Sequence, residues 1–150
     1  MDKQMKSGSQ NWMVMLEENF AKLPPLPENV KAAIVQYAPI LALVFGVLGI
    51  LFGIGGMGVL GVLSPFAMVV GAGGAALTGI LGSLIYLASS VVLLMAYPGL
   101  KARTMVGWKK AFYSELLSIL GSLLGFNILG AIIGGGIGLY LLFQIKSHYK

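Results

Sequence analysis

Two long stretches of this chain contain no charged side chain. Neither residues 32–100 nor residues 116–145 include a single Asp, Glu, Lys or Arg. A charge at the centre of a lipid bilayer costs roughly 2.5–3.5 kcal/mol on insertion scales, whereas soluble domains average about 25% charged residues. This chain has 10% charged and 57% hydrophobic residues, and its mean hydropathy is +0.89. The absence of charge therefore predicts a protein whose main partner is the lipid bilayer.

The residues needed for most catalytic and metal sites are also scarce. There is no cysteine, and the sequence has one histidine, His148, and one aspartate, Asp2. Thiolate ligands and thiol nucleophiles are thereby excluded, and a Ser-His-Asp triad, an aspartate pair or a zinc or haem site lacks the residues it needs. We therefore expect no catalytic site, no metal site and no cofactor, and the protein is not expected to be an enzyme.

Eight of the ten basic residues fall into three clusters that flank the charge-free stretches. They are Lys22 and Lys31; Lys101, Arg103, Lys109 and Lys110; and Lys146 and Lys150. Basic loops beside membrane spans stay on the cytoplasmic side, so each charge-free stretch is expected to cross the bilayer an even number of times. This predicts the cytoplasmic (inner) membrane, with both termini cytoplasmic. Nucleic acid is not an expected partner, because the basic residues lie in short loops beside apolar spans.

The even count gives a compact bundle of four transmembrane helices, an all-α membrane protein occupying residues 30–150. The predicted spans are about 30–54, 75–97, 106–124 and 126–146, separated in part by an apolar, glycine-rich connector over residues 55–74. Each span holds enough residues to cross the hydrocarbon core, which takes about 20 residues. The alternative is three spans, with residues 112–124 lying flat as an interfacial helix.

Residues 1–29 are expected to form a separate N-terminal segment. Ser9 to Lys22 reads as a short amphipathic helix with Trp12, Leu16 and Phe20 on one stripe, and a stiff proline-rich connector follows. A membrane-surface anchor, a docking arm for a partner and a frayed polar tail all fit this pattern.

Small residues recur at four-residue intervals along each predicted span. The chain has 22 glycines, which weaken soluble helices but let membrane helices approach one another closely. The stripes are Gly49 and Gly53; Gly71, Ala75, Gly79 and Ser83; Ser114, Ser118 and Ser122, with Gly121 and Gly125; and Gly130, Gly134 and Gly138. They predict helix packing, either within one bundle or, for the fourth stripe, against a second subunit.

Three polar residues inside the predicted spans are candidates for a functional role. Glu115 is the only ionisable carboxyl group there, and it requires a partner from another helix end or loop, such as Lys31, Arg103 or Lys146. Asn127 and Tyr86 are the other two candidates. A structural role, as an interfacial carboxylate for Glu115 and as an interhelical hydrogen bond for Tyr86, is the alternative.

The second half of the sequence resembles a known family. The segments that carry the resemblance are Gly107-Trp108, Phe112 to Ser118, Gly130 to Gly134 and Gly138 to Ser147. They are similar to an uncharacterised family of small multi-pass helical membrane proteins from uncultivated bacterial lineages. The resemblance implies a compact helical membrane protein and brings with it no activity and no site residues.

Two functional hypotheses follow from these residues. The first is a non-catalytic scaffold or accessory subunit that packs through its Gly/Ser/Ala stripes, with a homo-oligomer or a larger membrane complex as the partner. The second is a small oligomeric channel or transporter in which Glu115, Asn127 and the stripe from Gly130 to Gly138 contribute to a path.

Overall fold

The computed structural model describes the backbone of residues 2–150 and the side chains of residues 11–150. All its regular elements are helices, which confirms the all-α class. They are α1 (Asp2–Ala21), α2 (Glu28–Val69), α3 (Gly73–Lys101), α4 (Met105–Leu124) and α5 (Ile128–Ile145), followed by a 3-10 turn (Lys146–His148). Three segments are long and apolar enough to cross a membrane: Glu28–Val69, Gly73–Lys101 and Ile128–His148. This composition indicates association with a membrane.

Helices α2 to α5 run alternately in opposite directions, and each packs against the next one along the chain. The start of α2, the α3–α4 turn and the C-terminal residues meet at one end. His148 Nε2 lies 3.6 Å from Glu28 Oε2, and the backbone N–H of Lys150 donates to the Arg103 carbonyl at 3.0 Å. The basic clusters lie toward this end, which we call the basic end; the turns at residues 70–72 and 125–127 mark the far end.

Helix α2 is longer than the sequence predicted. It has 42 residues, or about 63 Å at about 1.5 Å per residue, roughly twice the thickness of the hydrocarbon core. Residues 55–69 continue the helix instead of forming a connector, although Pro65 lies inside it. Packing explains the difference, because α3 follows α2 to its end: a Cβ atom built on Gly79 would lie 3.1 Å from Leu60 Cδ1, and one built on Gly73 would lie 3.3 Å from Met68 Cγ.

The two helical hairpins differ in length at the far end. Gly82 of α3 lies beside Gly121 and Gly125, where α4 ends. Helix α3 begins about nine residues earlier, at Gly73, so the α2–α3 hairpin extends about 13 Å beyond the α4–α5 hairpin. At the shorter tip Phe126 has a positive φ of 59°, and the Asn127 side chain caps α5 by accepting the Gly130 N–H at 3.0 Å.

Aromatic residues close the bundle near the basic end. Trp108 and Phe112 are both 0% exposed, and their rings stack with centroids 5.3 Å apart. The indole Nε1–H of Trp108 donates to the Leu142 carbonyl at 2.8 Å. Helix α1 covers this cluster: Trp12 stacks on Phe112 at 5.9 Å and Phe20 on Phe143 at 5.3 Å.

Candidate functional site

A groove lies between α2 and α5, with α3 and α4 forming its floor. Its volume is about 500 Å³. Apolar side chains form its rim, where Leu41 and Phe45 of α2 are 44% and 59% exposed and Ile137 of α5 is 55% exposed. The opening therefore faces sideways, between α2 and α5, and we call this space the lateral groove.

Two serine hydroxyls on the floor are hydrogen-bonded inside the protein, and one of them joins α3 to α4. Ser114 Oγ is buried and donates to the Ser89 carbonyl of α3 at 2.8 Å. Ser90 Oγ donates within α3 to the Tyr86 carbonyl at 2.9 Å. These two hydroxyl groups are satisfied inside the protein and have a structural role.

Four other polar side chains line the lateral groove without such partners. They are Tyr86, Glu115, Ser118 and Ser122, which we call the polar track. Within residues 11–150, neither the Tyr86 hydroxyl, the Glu115 carboxylate nor the two serine hydroxyls hydrogen-bond to another side chain or to a backbone group. Three of the four are on α4 at positions 115, 118 and 122, which fall on one helical face.

Glu115 projects toward α5. A Cβ atom built on Gly138 would lie 2.5 Å from the Glu115 Cδ atom, so the absence of a side chain at position 138 leaves room for the carboxylate. Two of the three partners expected for Glu115 bind elsewhere: Lys31 pairs with Glu28 at 3.0 Å and Lys146 with Glu17 at 2.5 Å. The third, Arg103, lies in the α3–α4 turn, and no ion pair between it and Glu115 is present among the described residues. Glu115 is the only charged side chain among those that line the groove.

The polar track continues toward the far end and stops toward the basic end. A second cavity of about 530 Å³ shares Tyr86, Ser118 and Ser122 with the lateral groove and extends to Asn127. In the other direction, the groove ends at Leu100 and Ile145, which belong to the buried core. Polar side chains thus extend from Asn127 at the far end through the polar track to Glu115, with packed side chains beyond Glu115.

No family model, no curated protein and no solved structure matches this chain. Among the residues that the structure describes, no cluster of three His, Asp or Glu side chains could hold a metal ion. A single carboxylate with hydroxyl groups beside it can bind a proton or pair with one cation.

The structure brings many of the predicted packing residues into helix contacts. Gly49 and Gly53 face α3, where a Cβ atom on Gly53 would lie 2.7 Å from Leu87 Cγ. Gly79 faces Leu60 of α2, and Ser83 lies on the same side of α3, with its Oγ 3.3 Å from the Cβ position of Gly56.

Other residues of the predicted stripes lie outside helix contacts. Gly71 is in the α2–α3 turn with a positive φ of 77°, and Ala75 is exposed. Gly130 contacts the side chain of its own cap, Asn127, and a Cβ atom on Gly134 would meet no atom within 4 Å. Gly134 lines the lateral groove instead.

The closest helix approach involves glycines that the spacing argument did not include. Gly99 of α3 and Gly107 of α4 touch backbone to backbone: a Cβ atom on Gly99 would lie 2.5 Å from the Gly107 Cα. Neither glycine belongs to a four-residue repeat with the others, so a search for such repeats passes over them. The proximity of two helix ends across the short turn at residues 102–104 is the signal that would have found them.

Proposed function

We propose that this chain is an integral membrane protein whose helices α2, α3, α4 and α5 all cross the bilayer. The contact between Glu28 and His148 supports an even number of crossings. An odd number would separate the start of α2 from the end of α5 by the hydrocarbon core, about 30 Å.

The packing of α4 supports counting it as a crossing helix despite its three charged residues. Its 20 residues span about 30 Å, and it follows α3 from the contact of Gly107 with Gly99 to that of Gly121 with Gly82. A helix lying flat on the surface would leave a crossing helix after one or two turns. Lys109 and Lys110 are in its first two turns, where long side chains can reach the headgroups.

The distribution of charge supports an orientation with the basic end in the cytoplasm. Each of the three basic clusters is at that end, and positively charged loops stay on the cytoplasmic side. In this orientation α1 lies on the cytoplasmic side, where Trp12 and Phe20 attach it to the bundle as an amphipathic helix.

We propose that the lateral groove is a solute path and that the protein is a small transporter or channel with Glu115 as its binding carboxylate. The observation that carries this proposal is the polar track. Its hydroxyl groups and carboxylate face a cavity and have no hydrogen-bond partner within the described residues. In hydrocarbon each such group costs several kcal/mol unless water or a polar solute meets it.

Cysteine labelling tests whether water reaches this path. Because the chain has no cysteine, Ser118→Cys provides a single thiol on the polar track, and Leu120→Cys provides a matched thiol on the outer face of α4, where Leu120 is 46% exposed. Thiols react with methanethiosulfonates as thiolates, which form in water. In vesicles we expect a charged, membrane-impermeant methanethiosulfonate to label Ser118→Cys from the far side and to leave Leu120→Cys unlabelled.

A scaffold or accessory subunit is the second candidate function. Gly136 on α5 is exposed and lies outside the lining of the lateral groove, and a Cβ atom there would meet no atom within 4 Å. The face of α5 that carries Gly136 has room for a close approach by another membrane helix. If Ser118→Cys is labelled from neither side, the groove is dry, the transport proposal is wrong and the scaffold is the better explanation.

A further inference from the structure

We infer that the lateral groove binds a lipophilic organic cation with a single positive charge, which enters from the bilayer between α2 and α5 and pairs with Glu115. This inference rests on the proposed function and names the substrate class of the same site. Three properties of the groove support it: its charge, its walls and its opening.

The charge of the groove matches one positive charge on the ligand. Glu115 is the only charged residue in the lining, and Lys31 and Lys146 are paired with other carboxylates. A divalent ion such as Ca²⁺ takes 6–8 oxygen ligands, often including several carboxylates. One carboxylate with nearby hydroxyl groups provides too few such ligands, so a single cationic group on an organic molecule is the better match.

The walls of the groove are those of a site for an organic molecule. The apolar lining comes from both sides of the groove: Ile34, Leu41 and Phe45 belong to α2, and Ile137 and Leu141 belong to α5. A volume of about 500 Å³ lies within the usual range for ligand sites, about 300–1,000 Å³. An aromatic ring such as that of Phe45 also attracts a cation over its face. A small hydrated ion would gain nothing from these apolar side chains.

The opening determines the route of entry. The rim residues Leu41, Phe45 and Ile137 are exposed on the sides of the helices, which face lipid when α2 and α5 cross the bilayer. A lipophilic cation is already concentrated in the membrane and needs no aqueous route into the groove. The polar track on the floor then provides hydroxyl groups and water near its positive charge.

Binding of tetraphenylphosphonium to the full chain in lipid nanodiscs tests this inference. We expect saturable binding that Glu115→Gln weakens by about tenfold or more, since an ion pair in low dielectric is lost. Glu18→Gln is the matched control, because Glu18 is exposed and the substitution removes the same charge outside the groove. Neutral triphenylphosphine oxide should bind to the wild-type protein no more strongly than to protein-free nanodiscs.

Two variants that each add a leucine side chain to α5 provide a second test if Glu115→Gln fails to fold. Gly134→Leu places a side chain in the groove, whereas Gly136→Leu adds the same group to α5 away from the lining; neither position has an atom within 4 Å of its Cβ. We expect only Gly134→Leu to reduce tetraphenylphosphonium binding. Equal binding by both variants, or binding unchanged in folded Glu115→Gln, would overturn the inference. If Ser118→Cys is nonetheless labelled, the solute path stands and only its substrate class is wrong.

Discussion

At the residue scale, Glu17 and Glu28 show how a carboxylate is paired in this protein. Glu17 and Glu28 both lie at the basic end and contact Lys146 and Lys31. Glu115 lies in the middle of α4 and contacts a glycine. A carboxylate that only stabilised the bundle would be expected to follow the first pattern, because an unpaired charge away from water is costly. This contrast adds to the polar track as support for the proposed binding role of Glu115.

Tyr149 is another polar group without a partner, and its removal should stabilise the fold. The side chain is 3% exposed, and its hydroxyl has no hydrogen-bond partner in the part of the chain that the structure describes. Tyr149→Phe removes this unsatisfied group while keeping the ring. We expect the free energy of unfolding to rise by about 1 kcal/mol, measured by thermal unfolding in detergent micelles with Trp fluorescence as the signal.

The pH dependence of the same variant provides an internal check. Burial raises the pKa of Tyr149 above its ordinary value, and the nearby Arg103 opposes this only in part. The unfolded chain therefore ionises first, at a pKa of about 10, so the wild-type protein becomes less stable as the pH rises above that value. Tyr149→Phe should lose less stability than the wild type above pH 10. A variant that is less stable than the wild type at pH 7 would show that the hydroxyl has a partner.

At the element scale, helices α3 and α4 are held together by backbone contact at glycines. The α3–α4 pair has such contacts near both of its ends, at Gly99 with Gly107 and at Gly82 with Gly121. Helices that approach this closely gain van der Waals contact over their whole length, which is the main attraction between helices in lipid. A methyl group added at either contact would push two rigid backbones apart.

Gly107→Ala and Gly58→Ala are a matched pair for this argument. A Cβ atom on Gly107 would overlap the backbone of Gly99, whereas one on Gly58 would meet no atom within 4 Å. We expect Gly107→Ala to lower the free energy of unfolding by about 1–3 kcal/mol through overpacking. Gly58→Ala should be neutral or stabilising by up to about 1 kcal/mol, because alanine favours helix. Thermal unfolding in micelles measures both, and equal stability of the two variants would contradict the assigned contact.

The sequence predicted the helical class from hydropathy, but spacing alone could not give the partner of each glycine. A four-residue repeat identifies one face of a helix and not the residue opposite. Gly134 and Gly138 belong to one repeat, yet only Gly138 meets another helix. Similarly, Trp108 is buried because α5 packs on it, through the Leu142 carbonyl and the Phe143 ring, and no local sequence pattern encodes that approach.

At the scale of the whole molecule, the groove exists because four helices form an open layer. Helices α2 and α5 are at its two edges and do not pack along their full lengths, so the floor made by α3 and α4 stays accessible. Glu115 and Tyr86 could be selected as candidates from the sequence because polar residues are rare in the spans. That both face one cavity follows from tertiary arrangement, which depends on helix rotation and crossing rather than on composition.

The topology can be tested with three single-cysteine variants in sealed vesicles of known orientation. Lys22→Cys and Ser147→Cys are exposed positions at the basic end, and Val70→Cys is in the far turn, where Val70 is 77% exposed. Because basic loops remain cytoplasmic and four crossings return the chain to its starting side, an impermeant maleimide should label the first two thiols from the cytoplasmic side and Val70→Cys from the other. As a control, each variant is labelled again after detergent lysis of the vesicles. A thiol on the opposite side of the membrane then reacts, whereas a thiol buried in the protein does not. If Lys22→Cys and Ser147→Cys are labelled from opposite sides, the number of crossings is odd, α4 lies at the surface, and the lateral groove cannot form within one bilayer-spanning bundle.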